Sequence, residues 1–330
     1  MSTLHPRLPS PLHPVDDPRW TARGVRLVLK RDDLIHPDIG GNKWRKLAPN
    51  LAAAQGRALV TFGGAYSNHL RATAAAGRLL GVPTIGVVRG DELAGRPLNP
   101  SLARCVADGM RLCFVDRSTY RRKNEPEVLA GLLRRVGAED AYAVPEGGSN
   151  ILAVRGCTAL GAELRDAVDT VDTDGSGPTA PTDPTVPAVD VAAVAVGTGG
   201  TLAGLAAGLG PGQRALGVPV VAGGFLGEEI RALQQAAFGG RRGDWWLDDR
   251  FHGGGYGRTD PALDAFADDF EQRHGLPVER LYVAKMLKAL LTLTEEGAFA
   301  PGTRLAAVIT GRPFPTAAGE TVTGQADSSR

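Results

Sequence analysis

The sequence predicts an α/β protein of two lobes, each a mostly parallel sheet covered by helices. Three observations predict it. Short apolar runs alternate along the chain with alanine- and leucine-rich helical stretches, the pattern of strand, crossover helix and parallel strand. Several of those runs close on glycines just before a helical pattern resumes, as at Gly63-Gly64 and Gly197-Thr198-Gly199-Gly200-Thr201. A chain of 330 residues, 43% of them hydrophobic, exceeds one ordinary domain and can bury substantial cores.

Met1 to Pro18 is proline-rich and lacks an apolar core, so it reads as neither a signal peptide nor a membrane anchor. Gly40-Gly41-Asn42-Lys43-Trp44-Arg45-Lys46-Leu47 then sets a lysine after two glycines and beside two more cations. Desolvation and neighbouring positive charge lower a lysine pKa toward the reactive free amine. The glycines would let the backbone pass close to a flat ligand. A basic turn opening a helix is the plain alternative.

Residues 58–64 read as a strand closed by glycines, and Ser67 or Asn68 starts the helix that follows through Leu80. Such a helix start can hold a carboxylate, although Ser67 and Asn68 also fit as simple caps. Further strands are expected near 84–88 and 111–115. Arg121-Arg122-Lys123 and Arg134-Arg135 read as solvated helix faces. Residues 168–190, a run of Asp, Thr, Pro and Gly, read as an unpacked surface insertion.

Val191 to Val196 suits a strand covered on both faces, and Gly197, Thr198, Gly199, Gly200 and Thr201 form a loop that can converge backbone N–H groups on one phosphate. It lacks the Gly-Lys-Ser/Thr ending of a nucleotide loop and the G-x-G-x-x-G spacing of a dinucleotide site. Tyr256 lies in a glycine-rich loop and Tyr282 on an amphipathic helical pattern. Arg304 to Gly311 reads as a buried strand ending at Thr310, which also fits a plain turn residue, and the tail 316–330 is polar.

A formal net charge of +1 gives no electrostatic case for nucleic acid or an anionic membrane. Three cysteines, Cys105, Cys113 and Cys157, have neither disulfide nor zinc spacing and fit a reducing, cytoplasmic setting without a metal site.

A candidate imine lysine, a Ser-Asn helix start, a glycine-threonine phosphate loop and a late strand-end threonine together describe the surroundings of pyridoxal 5'-phosphate. The chain resembles the fold type II pyridoxal-phosphate enzymes, and within them the D-cysteine desulfhydrase and 1-aminocyclopropane-1-carboxylate deaminase family. The resemblance rests on Lys30 to Leu34, Gly40 to Leu47, Gly63-Gly64 with Ser67-Asn68-His69, Glu146 to Asn150, the 197–201 loop and Gly254-Gly255-Tyr256-Gly257, in family order.

That resemblance implies a small domain at 47–150, a large cofactor domain from 1–46 and 151–330, and an active site in the cleft between them. It implies that Lys43 carries the cofactor as a Schiff base, that Asn68 bonds the ring hydroxyl, and that Lys46 with the 197–201 loop holds the phosphate. Thr310 would face the pyridine nitrogen as a neutral hydroxyl, which suits elimination. Ser67, Asn68 and His69 would bind the substrate carboxylate. Lys43 would act as base, with Ser67, Tyr256 and Tyr282 as the other candidate catalytic groups, and the assembly would be a homodimer.

Ring-opening deaminases of this family usually carry glutamine after the Ser-Asn pair and glutamate after the later tyrosine; this chain has His69 and Val283. Ala48 replaces a usual glutamate, and Trp245 to Gly257 match poorly. The implied reaction is α,β-elimination from a small amino acid to a 2-oxo acid and ammonia, with D-cysteine as the model. The cyclopropane deaminase, a serine or threonine dehydratase, and a non-catalytic cofactor- or amino-acid-binding protein are the alternatives.

Overall fold

The ten strands of the computed structural model, which describes residues 4–167 and 189–314, fall into two sheets. In chain order they are β1 Leu12–Val15, β2 Arg26–Lys30, β3 Leu59–Gly63, β4 Thr84–Arg89, β5 Met110–Val115, β6 Tyr142–Val144, β7 Val191–Val196, β8 Arg214–Pro219, β9 Asp244–Leu247 and β10 Arg304–Val308. One sheet has the order β1-β2-β10-β7-β8-β9, the other β5-β4-β3-β6. Every pairing is parallel except that of the edge strand β1 with β2. Helices occur in most connections between parallel neighbours, as the alternating sequence pattern requires.

The small-residue run of β7 is buried on both faces. Val191, Ala193 and Ala195 join one core with Leu305 and Ala307 of β10, while Ala192, Val194 and Val196 join another with Ala306 and Val308. This two-residue alternation is that of a strand sandwiched between helix layers. In the four-stranded sheet Val60, Phe62, Ile85 and Val87 pack together beneath the helix Pro126–Arg135.

Loops that follow β3, β6, β7 and β10 meet at one place, with Arg89 at the end of β4. Parallel sheets put those C-terminal strand ends on the same side, where open α/β sheets bind ligands. Among the described residues no helix is long and apolar enough to cross a membrane.

Three expectations need adjustment, those for Tyr282, for the end of the supposed insertion and for Lys123. The helix Val283–Glu295 begins one residue after Tyr282, whose backbone (φ −125°, ψ −67°) is not helical. Residues 168–188 and the tail 316–330 lie outside the described residues. The last two residues of the supposed insertion are packed: Val189 is buried, and Asp190 pairs with Arg304 at 2.7 Å. Lys123 is not solvated either. Its side chain is 11% exposed, lies over the Tyr120 ring and pairs with Glu146 at 3.0 Å.

Candidate active site

Lys43 stands in the first turn of the helix Asn42–Ala54. Gly41 has φ +54°, and a Cβ there would fall 1.8 Å from the Thr310 carbonyl oxygen, which accepts the Asn42 N–H at 3.2 Å. The glycine therefore permits a chain crossing with the segment after β10, where the sequence suggested room for a flat ligand. That crossing holds Lys43 beside Thr310, and both line the same pocket.

Burial, then the neighbouring Lys46 and Arg71 charges, lower the Lys43 pKa from 10.5 to about 7. Among the described residues the Lys43 ammonium has one acceptor, Asn42 Oδ1 at 3.3 Å. Arg45 is not the source of this effect. It lies roughly 200° round the helix from Lys43 and is buried against Asp32 and Glu163, at 2.8 Å from each. Lys46, three residues on, shares the Lys43 face.

Lys46 Nζ donates to Ser149 Oγ at 2.9 Å and to the Gly147 carbonyl at 3.0 Å. Ser149 Oγ in turn lies 2.6 Å from Thr198 Oγ1. Gly199, at φ +78°, turns the chain into the helix Gly200–Gly208, and a Cβ on Gly200 would sit 2.7 Å from Ser149 Oγ and 3.3 Å from Lys46 Nζ. Thr201 accepts from Asn42 Nδ2 at 2.8 Å. An ammonium, several hydroxyls and a helix N-terminus thus surround one small space, an arrangement that favours a phosphate-sized anion. Gly197 lies against the Tyr282 ring, which a Cβ would approach to 3.2 Å.

The opposite wall comes from the helix Asn68–Leu80. Ser67 caps it, its Oγ accepting the Leu70 N–H at 3.2 Å. The N–H groups of Asn68 and His69 have no acceptor among the described residues. Asn68 Oδ1 accepts from Arg71, which leaves the Asn68 amide nitrogen for the pocket. His69 is buried, and Thr61 fixes its tautomer. The Thr61 hydroxyl proton goes to the Val144 carbonyl at 2.9 Å, so Thr61 Oγ1 must accept from His69 Nε2 at 2.8 Å. Nδ1 is then an unprotonated, buried and unpartnered acceptor. Burial, followed by the Lys43 and Lys46 charges, pushes the imidazole well below 6.5, so His69 is neutral.

Tyr256 and Tyr282 face each other edge to face at 5.9 Å. Burial raises both phenols above their usual value, Tyr282 further because Tyr256 adds to it. Both are therefore neutral hydroxyls at physiological pH.

Sequence reasoning assigned no role to five residues that shape this site. Arg89 and Glu146 line the pocket, and Ser149 bridges Lys46 to Thr198. Glu279 accepts the N–H groups of Leu281 and Tyr282 at 2.8 and 2.7 Å, fixing Tyr282 ahead of its helix. Lys285, its pKa lowered by burial to about 8, donates to the His252 and Gly255 carbonyls and anchors the loop that carries Tyr256. Only Glu146 and Ser149 lay in a recognisable segment; the other three sit at a strand end, a helix lead-in and a helix interior.

The pocket is lined by Lys43, Lys46, Ser67, Asn68, His69, Gly197, Thr198, Gly199, Thr201, Tyr256, Tyr282 and Thr310, and Gly200 stands just behind. These residues fit a phosphorylated aldehyde. A near-neutral amine stands one helical turn from an anion site whose hydroxyls and ammonium already converge, and the Asn68 amide nitrogen is left for the same pocket.

A family model described as pyridoxal-phosphate dependent enzyme matches residues 5–311. The chain belongs to that family. Pyridoxal phosphate is accordingly its cofactor. A D-cysteine desulfhydrase of Yersinia pestis is 36% identical over 151 residues, 43% of this chain and 44% of its own length. The bifunctional D-cysteine desulfhydrase/1-aminocyclopropane-1-carboxylate deaminase of Arabidopsis thaliana is 30% identical over 176 residues, 49% of this chain and 42% of its own. The chain thus spans about half the length of the curated relatives it matches. A crystal structure of an ACC deaminase homologue superposes with a TM-score of 0.74 at 26% identity, covering 94% of this chain and 90% of the other.

Proposed function

We propose that the protein is a lyase that removes ammonia from a small amino acid by α,β-elimination, with D-cysteine going to pyruvate, hydrogen sulfide and ammonia as the model reaction. The Lys43 amine carries this reading: with a pKa near 7 it is part free base at neutral pH and can both bind an aldehyde and move a proton. Bound pyridoxal phosphate supplies an electron sink conjugated to the substrate Cα.

The protein's residues do the rest. Lys46, Ser149, Thr198 and the start of Gly200–Gly208 hold the phosphate, and the Asn68 amide bonds the ring hydroxyl. Thr310 offers the pyridine nitrogen a neutral hydroxyl and no carboxylate, which keeps the sink moderate. The open Asn68 and His69 N–H groups receive the substrate carboxylate at the helix N-terminus. Lys43 Nζ takes the Cα proton, and Ser67, Tyr256 and Tyr282 stand by as neutral hydroxyls that can pass it on.

Elimination is favoured over ring opening because position 283 carries no acid: Val283 is 1% exposed and packed in the core. A cytoplasmic homodimer, its assembly checked by light scattering, completes the proposal. The test is product formation by the holoenzyme with D-cysteine, L-cysteine and 1-aminocyclopropane-1-carboxylate offered separately. Pyruvate and sulfide from D-cysteine, with no 2-oxobutanoate from the cyclopropane, is the expected result. 2-Oxobutanoate as the sole product would overturn it in favour of ring opening, and no 2-oxo acid from any amino acid would overturn it in favour of a binding protein.

A further inference from the structure

The Asn68 side chain is not held by packing alone. It borders the active-site pocket, a second cavity beside Pro37 and a third beside Tyr66, so its amide has room to turn over. What fixes it is a hydrogen bond. Arg71, three residues on and on the same face of the helix, donates through Nη2 to Asn68 Oδ1. A guanidinium has donors and no acceptor, so the atom of Asn68 that faces Arg71 has to be the oxygen. Only the N–H groups of the amide are then left to offer a ligand.

Arg71 is itself fixed from two distant parts of the chain. Nη1 donates to Ser101 Oγ at 2.6 Å, and Ser101 is buried in the first turn of the helix Pro100–Ala107, between β4 and β5. Asn99 caps that helix and donates to the Ala65 carbonyl at 3.2 Å, which ties it to the turn ahead of Ser67. From the other side comes Phe314, beyond β10, whose ring centre lies 4.2 Å from the Arg71 guanidinium carbon. Elements of both sheets therefore hold the guanidinium in place.

We propose that Arg71 is a positioning residue, which holds the Asn68 amide so that the ring oxygen of the cofactor meets a hydrogen-bond donor and is favoured in its ionised form. This rests on the assignment of Asn68 to the ring hydroxyl. The two ends of an amide are alike in size and opposite in chemistry. Released from Arg71, Asn68 can turn and offer its own oxygen, which favours the protonated hydroxyl instead. The proton shared between the ring oxygen and the Schiff-base nitrogen is held less tightly when a donor binds that oxygen. Through Asn68, Arg71 thus sets the pH at which the proton leaves and the visible band of the cofactor changes. The reaction itself makes and breaks no bond at Arg71.

The test is a double-mutant cycle read on the cofactor without substrate, comparing wild type, Arg71→Met, Asn68→Ala and the double variant. Titration of each apoprotein with pyridoxal phosphate gives affinity, the visible band of each holoprotein gives its pH midpoint, and thermal unfolding reports folding. Each single variant should raise the midpoint by about one unit and weaken cofactor binding about tenfold, the worth of one hydrogen bond to a charged group. The double variant should again show about one unit and about tenfold, because without the Asn68 amide Arg71 has nothing to act through. Arg71→Lys, whose ammonium can still donate to Oδ1, should recover part of both losses. If Arg71→Met does not fold, Arg71→Gln replaces it in the cycle with the same expectation, since its amide can donate or accept and so fixes nothing. Additive shifts in the double variant would mean that the guanidinium acts by its charge alone, and would overturn the proposal, as would an unchanged midpoint in the Arg71 variant. An unchanged midpoint and affinity in Asn68→Ala would overturn the Asn68 assignment and this proposal with it. Elimination is read separately, as pyruvate from D-cysteine, and survives either failure.

Discussion

At one end of the pocket Lys46, Gly147, Ser149 and Thr198 interlock through contacts of 2.6–3.0 Å, whereas at the other Arg89 is exposed and joins no ion pair among the described residues. The first end is pre-organised: glycines bring backbone, hydroxyl and ammonium together before any ligand arrives. The second is open, polar and anchored from behind by Lys285 and Glu279. A family that keeps one cofactor and changes substrates needs this division, because a tight anion site can be kept while the mouth varies.

The comparison is broken most completely at Lys43. Lys43→Ala removes the amine assigned to bind the aldehyde and to move the Cα proton, so turnover should fall at least about 10⁴-fold, and the protein's Schiff-base absorption should vanish; both are read in one spectrophotometer. Lys46→Ala strikes the closed end. Removing one partner of a buried charge contact costs about 2–5 kcal/mol, so cofactor affinity should fall by about a hundredfold or more on titration of the apoprotein.

Ser67→Ala sharpens the contrast. Losing the cap should cost about 1 kcal/mol of stability, seen in thermal unfolding, and turnover should drop while the Schiff-base absorption stays. The smallest effect concerns pH. With the Lys43 pKa lowered from 10.5 to about 7 by burial and by Lys46, the amine is protonated and unreactive below neutrality and free above it. Capture of pyridoxal phosphate by the apoprotein should therefore quicken about tenfold per pH unit below 7 and level off above about 8. A rate still climbing through pH 10 would mean an unshifted lysine.

The closed end was legible in the sequence for a physical reason. Phosphate cradles need glycines followed by a helix, Ser67 is a good cap, and the small-residue run of β7 can only be a strand covered on both faces. Adjacency misled at Arg45. Two residues from Lys43 in sequence is the far side of a helix, where Arg45 serves the buried pairs with Asp32 and Glu163. Gly41 was rightly singled out but for the wrong neighbour, since the Thr310 carbonyl takes the room it leaves. Lys123 read as part of a solvated basic run because nothing local reveals that Glu146 and Tyr120 wait beside it. Arg89 and Lys285 stand alone in the chain, and only the approach of distant strands and loops gives them partners or leaves them without.

Reduction of the holoprotein with borohydride, followed by peptide mass mapping, tests the central assignment most directly. Lys43, with a single weak partner at 3.3 Å, has two rivals of different character: Lys46, engaged by Gly147 and Ser149, and Lys285, engaged by two carbonyls. The pyridoxyl label is predicted on Lys43 alone; a label on Lys46 or Lys285, or on no lysine at all, would contradict the account.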